Sequence, residues 1–347
     1  MGRLPLRPPI SGPEHVVAPG QPRRGLLGLW LVLPIAVLLA VAGGGPEDSF
    51  RVIGPIVVYS LTLVVMIAFW WEDWPGTRLG PNWAGWADTV LIAAGGIVLT
   101  GVGQVITGGL DLRGIFVAHP GPGHVPTFPA TLAIGGAAFT IMLQLTLVGE
   151  GWPLRRLPVT IAGSLALVVS WAIALVLYFA LVEVDPAAGS AVAPRSGPIA
   201  AADFGGFLVW LGAWQVLFFV VWRGWPTSGL ASRAARLPAA HALVIGSALV
   251  TFVIVRLVLE PATVIAAGGC FIAAGLAIGM LLETGGAIGA LVLAAALFGV
   301  LWALASAFGV EHDDWVAHAA LNALAASIIL HVGVGRRWPF SSPTVEA

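Results

Sequence analysis

Long apolar runs alternate with short polar breaks along this chain. The runs cover residues 26–44, 52–71, 87–108, 130–149, 158–182, 204–222, 238–258, 262–282, 285–309 and 314–334. Each holds roughly 20 residues, enough to cross a hydrocarbon core as an α-helix. None has the strict two-residue alternation of a barrel strand. In lipid every backbone N–H and C=O must be paired inside the segment, so helices are the predicted element. The pattern predicts an all-α, polytopic transmembrane bundle of about ten spans, arranged as five two-helix hairpins. Residues 1–25 read as a flexible polar tail, 26–334 as the transmembrane domain and 335–347 as a second short tail.

Composition sharpens this picture. The chain is 58% hydrophobic and only 10% charged, against roughly 25% charged in soluble domains. Its net charge of −1 offers no basic excess for phosphates, so nucleic acid is excluded as a partner and the lipid bilayer is expected. The one cysteine, Cys270, rules out an intramolecular disulfide and a four-cysteine metal site. No cofactor is predicted. Sixteen Arg and no Lys, beside 45 Gly and 25 Pro, suggest a GC-rich bacterial genome. The first run has a second reading as a signal peptide, because a basic leader precedes it and the small residues Ala40-Val41-Ala42 end it.

Arginine placement orients the spans. With the N-terminus inside, twelve of the sixteen arginines fall in cytoplasmic segments, as the positive-inside rule requires. The outer loops gather Glu47, Asp48, Asp111, Glu183, Asp185, Glu311, Asp313 and Asp314 instead. Ten spans then place both termini in the cytoplasm of a cell-membrane protein.

A Trp-Pro pair recurs at Trp74-Pro75, Trp152-Pro153, Trp225-Pro226 and Trp338-Pro339. Two residues before each Trp stands a charge: Glu72, Glu150, Arg223 and Arg336. Each pair closes an even-numbered span, and Glu283-Thr284-Gly285 occupies the place of a degenerate fifth copy. Indole favours the membrane–water interface and Pro stops the helix ladder, so Trp74, Trp152, Trp225 and Trp338 read as interfacial anchors.

Polar residues inside apolar runs are the candidates for function. Asp314, His318 and Asn322 follow one another at four-residue spacing, a stripe on one face of the last span. Gln104, Gln144 and Gln215 lie in three other spans, as pathway lining or as interhelical glue. These six form a candidate polar pathway. His119, His124, His312 and His318 fall on the outer half and are weak candidates for a metal, with no recognised ligand spacing. Arg256 and Glu260 read as a local ion pair, and His331 as interfacial. No catalytic motif is present.

Three functional readings follow: a small-solute permease, a membrane scaffold or complex subunit, and a membrane protein with an outer His/Asp metal or catalytic site. The sequence leaves the solute, any protein partner and the oligomeric state open.

Overall fold

Backbone pairing within each apolar run yields ten helices in the computed structural model, which describes residues 20–80, 83–284 and 286–340. They are α1 (Arg23–Val41), α2 (Pro46–Trp70), α3 (Ala84–Thr107), α4 (Leu132–Val148), α5 (Val159–Leu181), α6 (Ala201–Val221), α7 (Arg233–Arg256), α8 (Pro261–Leu282), α9 (Ala287–Phe308) and α10 (His312–Val334). Nine are long and apolar enough to cross a bilayer, and α4 is the shorter one. At 1.5 Å per residue α4 still reaches about 25 Å, the low end of a span. The protein is an all-α, multi-pass membrane protein. The expected tails at 1–19 and 341–347, and Gly285, lie outside the described residues.

Element boundaries follow local chemistry. The second helix starts at Pro46, before its apolar run, with Glu47 and Asp48 in the first turn. A proline at the first helical position loses no hydrogen bond, and acids there meet the positive end of the helix dipole.

The even-numbered helices form a closed ring. α2 packs on α4, α4 on α6, α6 on α8, α8 on α10, and α10 returns to α2. The odd-numbered helices lie outside it. Each packs chiefly on the even helix that precedes it: α3 on α2, α5 on α4, α7 on α6, α9 on α8. The fifth outer place is filled by α1, which lies against α10 as well as α2. The expected hairpin of an odd helix with the even helix after it is therefore not the main packing unit. A tight turn after each even helix folds the chain back on the helix it has just left.

Association in lipid needs close fit, because burial in lipid tails and burial in protein are similarly apolar. Gly54 of α2 shows this. A Cβ there would stand 2.7 Å from the His318 carbonyl oxygen of α10, so only glycine lets these two backbones approach. Loop 108–131 carries a one-turn helix, Leu112–Phe116. It brings Phe128 edge-on to Phe50 at 5.0 Å and to His318 at 5.3 Å between ring centres.

Candidate functional site

One end of the ring carries the same turn five times. The last residues of every even helix widen into a π-helical turn: Met66–Trp70, Gln144–Val148, Leu217–Val221, Ala277–Leu282 and Leu330–Val334. Just beyond, Glu72, Glu150, Arg223, Glu283 and Arg336 adopt left-handed backbone with φ between 49° and 54°. The next N–H then reaches back six residues, from Asp73 to Ile67, Gly151 to Leu145, Gly224 to Phe218, Thr284 to Ile278 and Arg337 to His331. Such bonds satisfy the carbonyls that a helix end leaves orphaned. The Trp-Pro bonds that follow are cis. Glu283 thus shares its backbone state with the four charged residues that precede a Trp-Pro pair.

The second position of the turn decides who pairs with whom. Gly151 and Gly224 occupy it without strain, whereas Asp73 and Arg337 hold φ of 62° and 64°. Left-handed backbone costs a non-glycine residue about 1 kcal/mol or more. Both of these residues make ion pairs between neighbouring ring helices. Arg336 donates through Nε and Nη2 to Asp73 Oδ2 at 2.9 and 2.7 Å. Arg337 donates to Glu283 at 2.5 Å and to the Leu281 and Met280 carbonyls at 2.9 and 2.5 Å. Glu150 takes Arg236 on both oxygens, at 2.6 and 3.0 Å, with Arg233 at 3.5 Å. The Arg236 hydrogen bonds hold the Glu150 carboxyl below the usual carboxylate range, and burial opposes them. Burial pushes the Arg155, Arg223 and Arg337 guanidiniums down from their ordinary value. Asp88, at the start of α3, accepts the Gly76 N–H at 2.9 Å and so pins the first turn.

The six pathway candidates do not meet at one place. Gln215 is fully buried. Its Nε2 donates to the Thr140 carbonyl at 3.0 Å and to Gln144 Oε1 at 2.6 Å, and Gln144 Nε2 lies 2.7 Å from His241 Nδ1. This chain joins α6, α4 and α7. Gln104 is also fully buried, but it staples loop 108–131: its Nε2 donates to the Val125 carbonyl at 2.5 Å and its Oε1 accepts the Asp111 N–H at 3.0 Å. Asp314, His318 and Asn322 lie along α10, yet residues 315–320 are π-helical, which shifts the four-residue stripe. Asn322 Nδ2 donates to the His318 carbonyl at 3.1 Å.

The four outer histidines separate. His119 pairs with Asp48 at 3.0 Å and His124 with Asp111 at 2.9 Å. Burial raises the Asp111 carboxyl, but the Val125 and Gly114 N–H groups and His124 outweigh it and hold it low. His312 lies 2.7 Å from Ser306 Oγ and stacks on Trp302 at 4.9 Å, while His318 faces Phe128. Among the described residues no group of three or more His, Cys, Asp and Glu could hold a metal. Arg256 does not rely on Glu260 for its contact. It donates to Asp203 of α6 at 2.7 Å, because a neighbouring helix presents an acid at its first turn. His331, in the last turn of α10, is only 5% exposed, since α1 covers it: a Cβ on Gly28 would stand 2.6 Å from its Nε2. Trp152, Trp225 and Trp338 are about half exposed, and Trp74 lies under Arg78 at 5.7 Å.

Several buried polar atoms of the ring helices have no hydrogen-bond partner among the described residues. They include Thr62 Oγ1 of α2, Trp210 Nε1 and Gln215 Oε1 of α6, and Ser327 Oγ of α10; α5, outside the ring, carries Trp171 Nε1 and the Tyr178 hydroxyl in the same state. Sequence reading passed over Thr62 and Ser327, because a hydroxyl inside an apolar run changes its hydropathy little.

No family model, no curated protein and no solved structure matches this chain.

Proposed function

We propose that the protein is a small-solute permease of the cell membrane, with the Trp-Pro end and both termini in the cytoplasm. In this reading the five even helices are the conduit wall, seen closed. The ion pairs between neighbouring turns hold the cytoplasmic end shut, and the recurring turns are an internal repeat. The supporting observation is the set of unpaired polar atoms on ring helices, Thr62, Gln215 and Ser327 above all. Each such atom costs about 1–3 kcal/mol in a protein interior. Pure packing favours apolar residues there, whereas a polar guest passing along the ring would satisfy them. The Arg-rich end faces the cytoplasm by the positive-inside rule.

The test is flux. Purified protein in liposomes is assayed by light scattering for entry of glycerol, urea and small neutral amino acids, and by an entrapped pH dye for proton entry. Solute entry above that of protein-free vesicles is expected, increased by Arg336→Ala and reduced by Thr62→Val with Ser327→Ala. Vesicles as tight as protein-free ones with every variant would sink the permease reading. Recovery of a stoichiometric partner from native membranes would then favour the scaffold reading, for which the exposed Trp152, Trp225 and Trp338 would be the contact.

A further inference from the structure

The α4–α6–α7 junction contains a chain of polar groups with a fixed direction. Gln215 Nε2 donates to Gln144 Oε1 at 2.6 Å. With its oxygen engaged in accepting, the Gln144 amide turns its Nε2 toward His241 Nδ1 at 2.7 Å. An amide nitrogen only donates, so Nδ1 accepts. The imidazole in this arrangement is neutral, with its proton on Nε2. At the other end Gln215 Oε1 is buried and without a partner among the described residues, and that atom is what the chain does not yet use.

We propose that His241 Nδ1 is a proton-binding site, and that its proton reverses the Gln144–Gln215 chain and so reports to the ring. A hydronium ion gives its proton to the Nδ1 lone pair: one O–H bond breaks, one N–H bond forms, and water and an imidazolium remain. Two donors would then face each other at 2.7 Å, so Gln144 turns over and accepts from Nδ1–H. Its amide nitrogen now faces Gln215, which turns over in response. Gln215 Oε1 becomes the acceptor, and the bond to the Thr140 carbonyl is lost. The unpartnered oxygen of the neutral state is the working atom of the protonated one. The acids at the ends of α4 and α6 are already paired. Glu150, at the end of α4, is taken by Arg236 and Arg233, which belong to the start of α7 itself. Asp203, at the far end of α6, is taken by Arg256. The site deepens the permease reading by naming the proton as coupling ion, yet its chemistry stands without flux.

The test uses the full chain in lipid nanodiscs with ¹⁵N-histidine, His241 being assigned by its loss in His241→Gln. The wild-type spectrum at alkaline pH is expected to show the Nε2–H tautomer. Gln215→Leu removes the cost of reversing the chain, so the midpoint of His241 protonation moves up by roughly 0.7 pH unit, about one neutral hydrogen bond. Gln215→Met serves if Leu unfolds the protein. A neutral Nδ1–H tautomer, or a midpoint unmoved in a folded Gln215 variant, overturns the proposal. If His241 behaves as stated but the liposomes stay tight, only the permease reading falls. Flux indifferent to Gln215 with an unmoved midpoint removes this inference and spares that reading.

Discussion

The ring helices and the helices outside it have overlapping hydropathy but different surroundings. In the ring, α2, α6, α8 and α10 bury 61–67% of their apolar windows, at mean hydropathy 1.6–2.4. Outside it, α1, α3, α5, α7 and α9 bury 11–28%, at 1.9–2.4. In water such a difference in burial would show in the apolar pattern. In lipid both solvents are apolar, and the pattern goes silent. What separates the two sets is how they end. Each ring helix finishes in a π-turn and a left-handed residue, and at that end α10 is tied by charge to α2 and to α8.

The largest expected contrast lies among the arginines of that end. Arg337→Ala strands two backbone carbonyls and takes one cation from Glu283, so about 3 kcal/mol of stability should be lost. Arg78→Ala, exposed at the same end, should stay within about 0.5 kcal/mol. Thermal unfolding in detergent measures both, and equal effects would break the distinction. Next come the glycines. Gly54→Ala in α2 drives a methyl into the His318 carbonyl and should cost about 1–3 kcal/mol. Gly299→Ala in α9 meets nothing within 4 Å and should be neutral or stabilising by up to about 1 kcal/mol.

A third comparison concerns hydroxyls. Thr62→Val and Ser327→Ala remove unpaired buried groups and should each raise stability by about 1 kcal/mol, while lowering any flux. Lower stability would mean that these hydroxyls have partners. The smallest effect is on pH. Glu150 is held below its ordinary 4.5, so its contribution is present above that value and fades as pH falls through the lower, folded one. Melting curves of Glu150→Gln should therefore lose stability at neutral pH and fall less steeply in acid than those of the wild type.

Much of this was open to inspection in the chain itself. All ten helices were legible, because backbone pairing in hydrocarbon leaves one solution for an apolar run of that length. So were the closing turns, because Trp-Pro with a charge two residues earlier is a local signal. The partner of Arg256 was not legible: Glu260 is four residues away, while Asp203 comes from another helix. His331 looked interfacial from its place near a span end, and only the packing of α1 shows that it is covered. The outer histidines share a side of the sequence map but pair with separate acids.

The amino-acid order by itself determined that this protein lives in lipid, that it crosses as helices, and where each helix turns back. Those are decisions about a segment and its solvent, made within about twenty residues. Tertiary structure alone decided that even helices form a ring and odd helices surround it. It alone joined the first helix to the last, and Gln144, Gln215 and His241 into one chain. Such choices depend on shape and on single hydrogen bonds between distant segments, and average hydropathy carries no record of either.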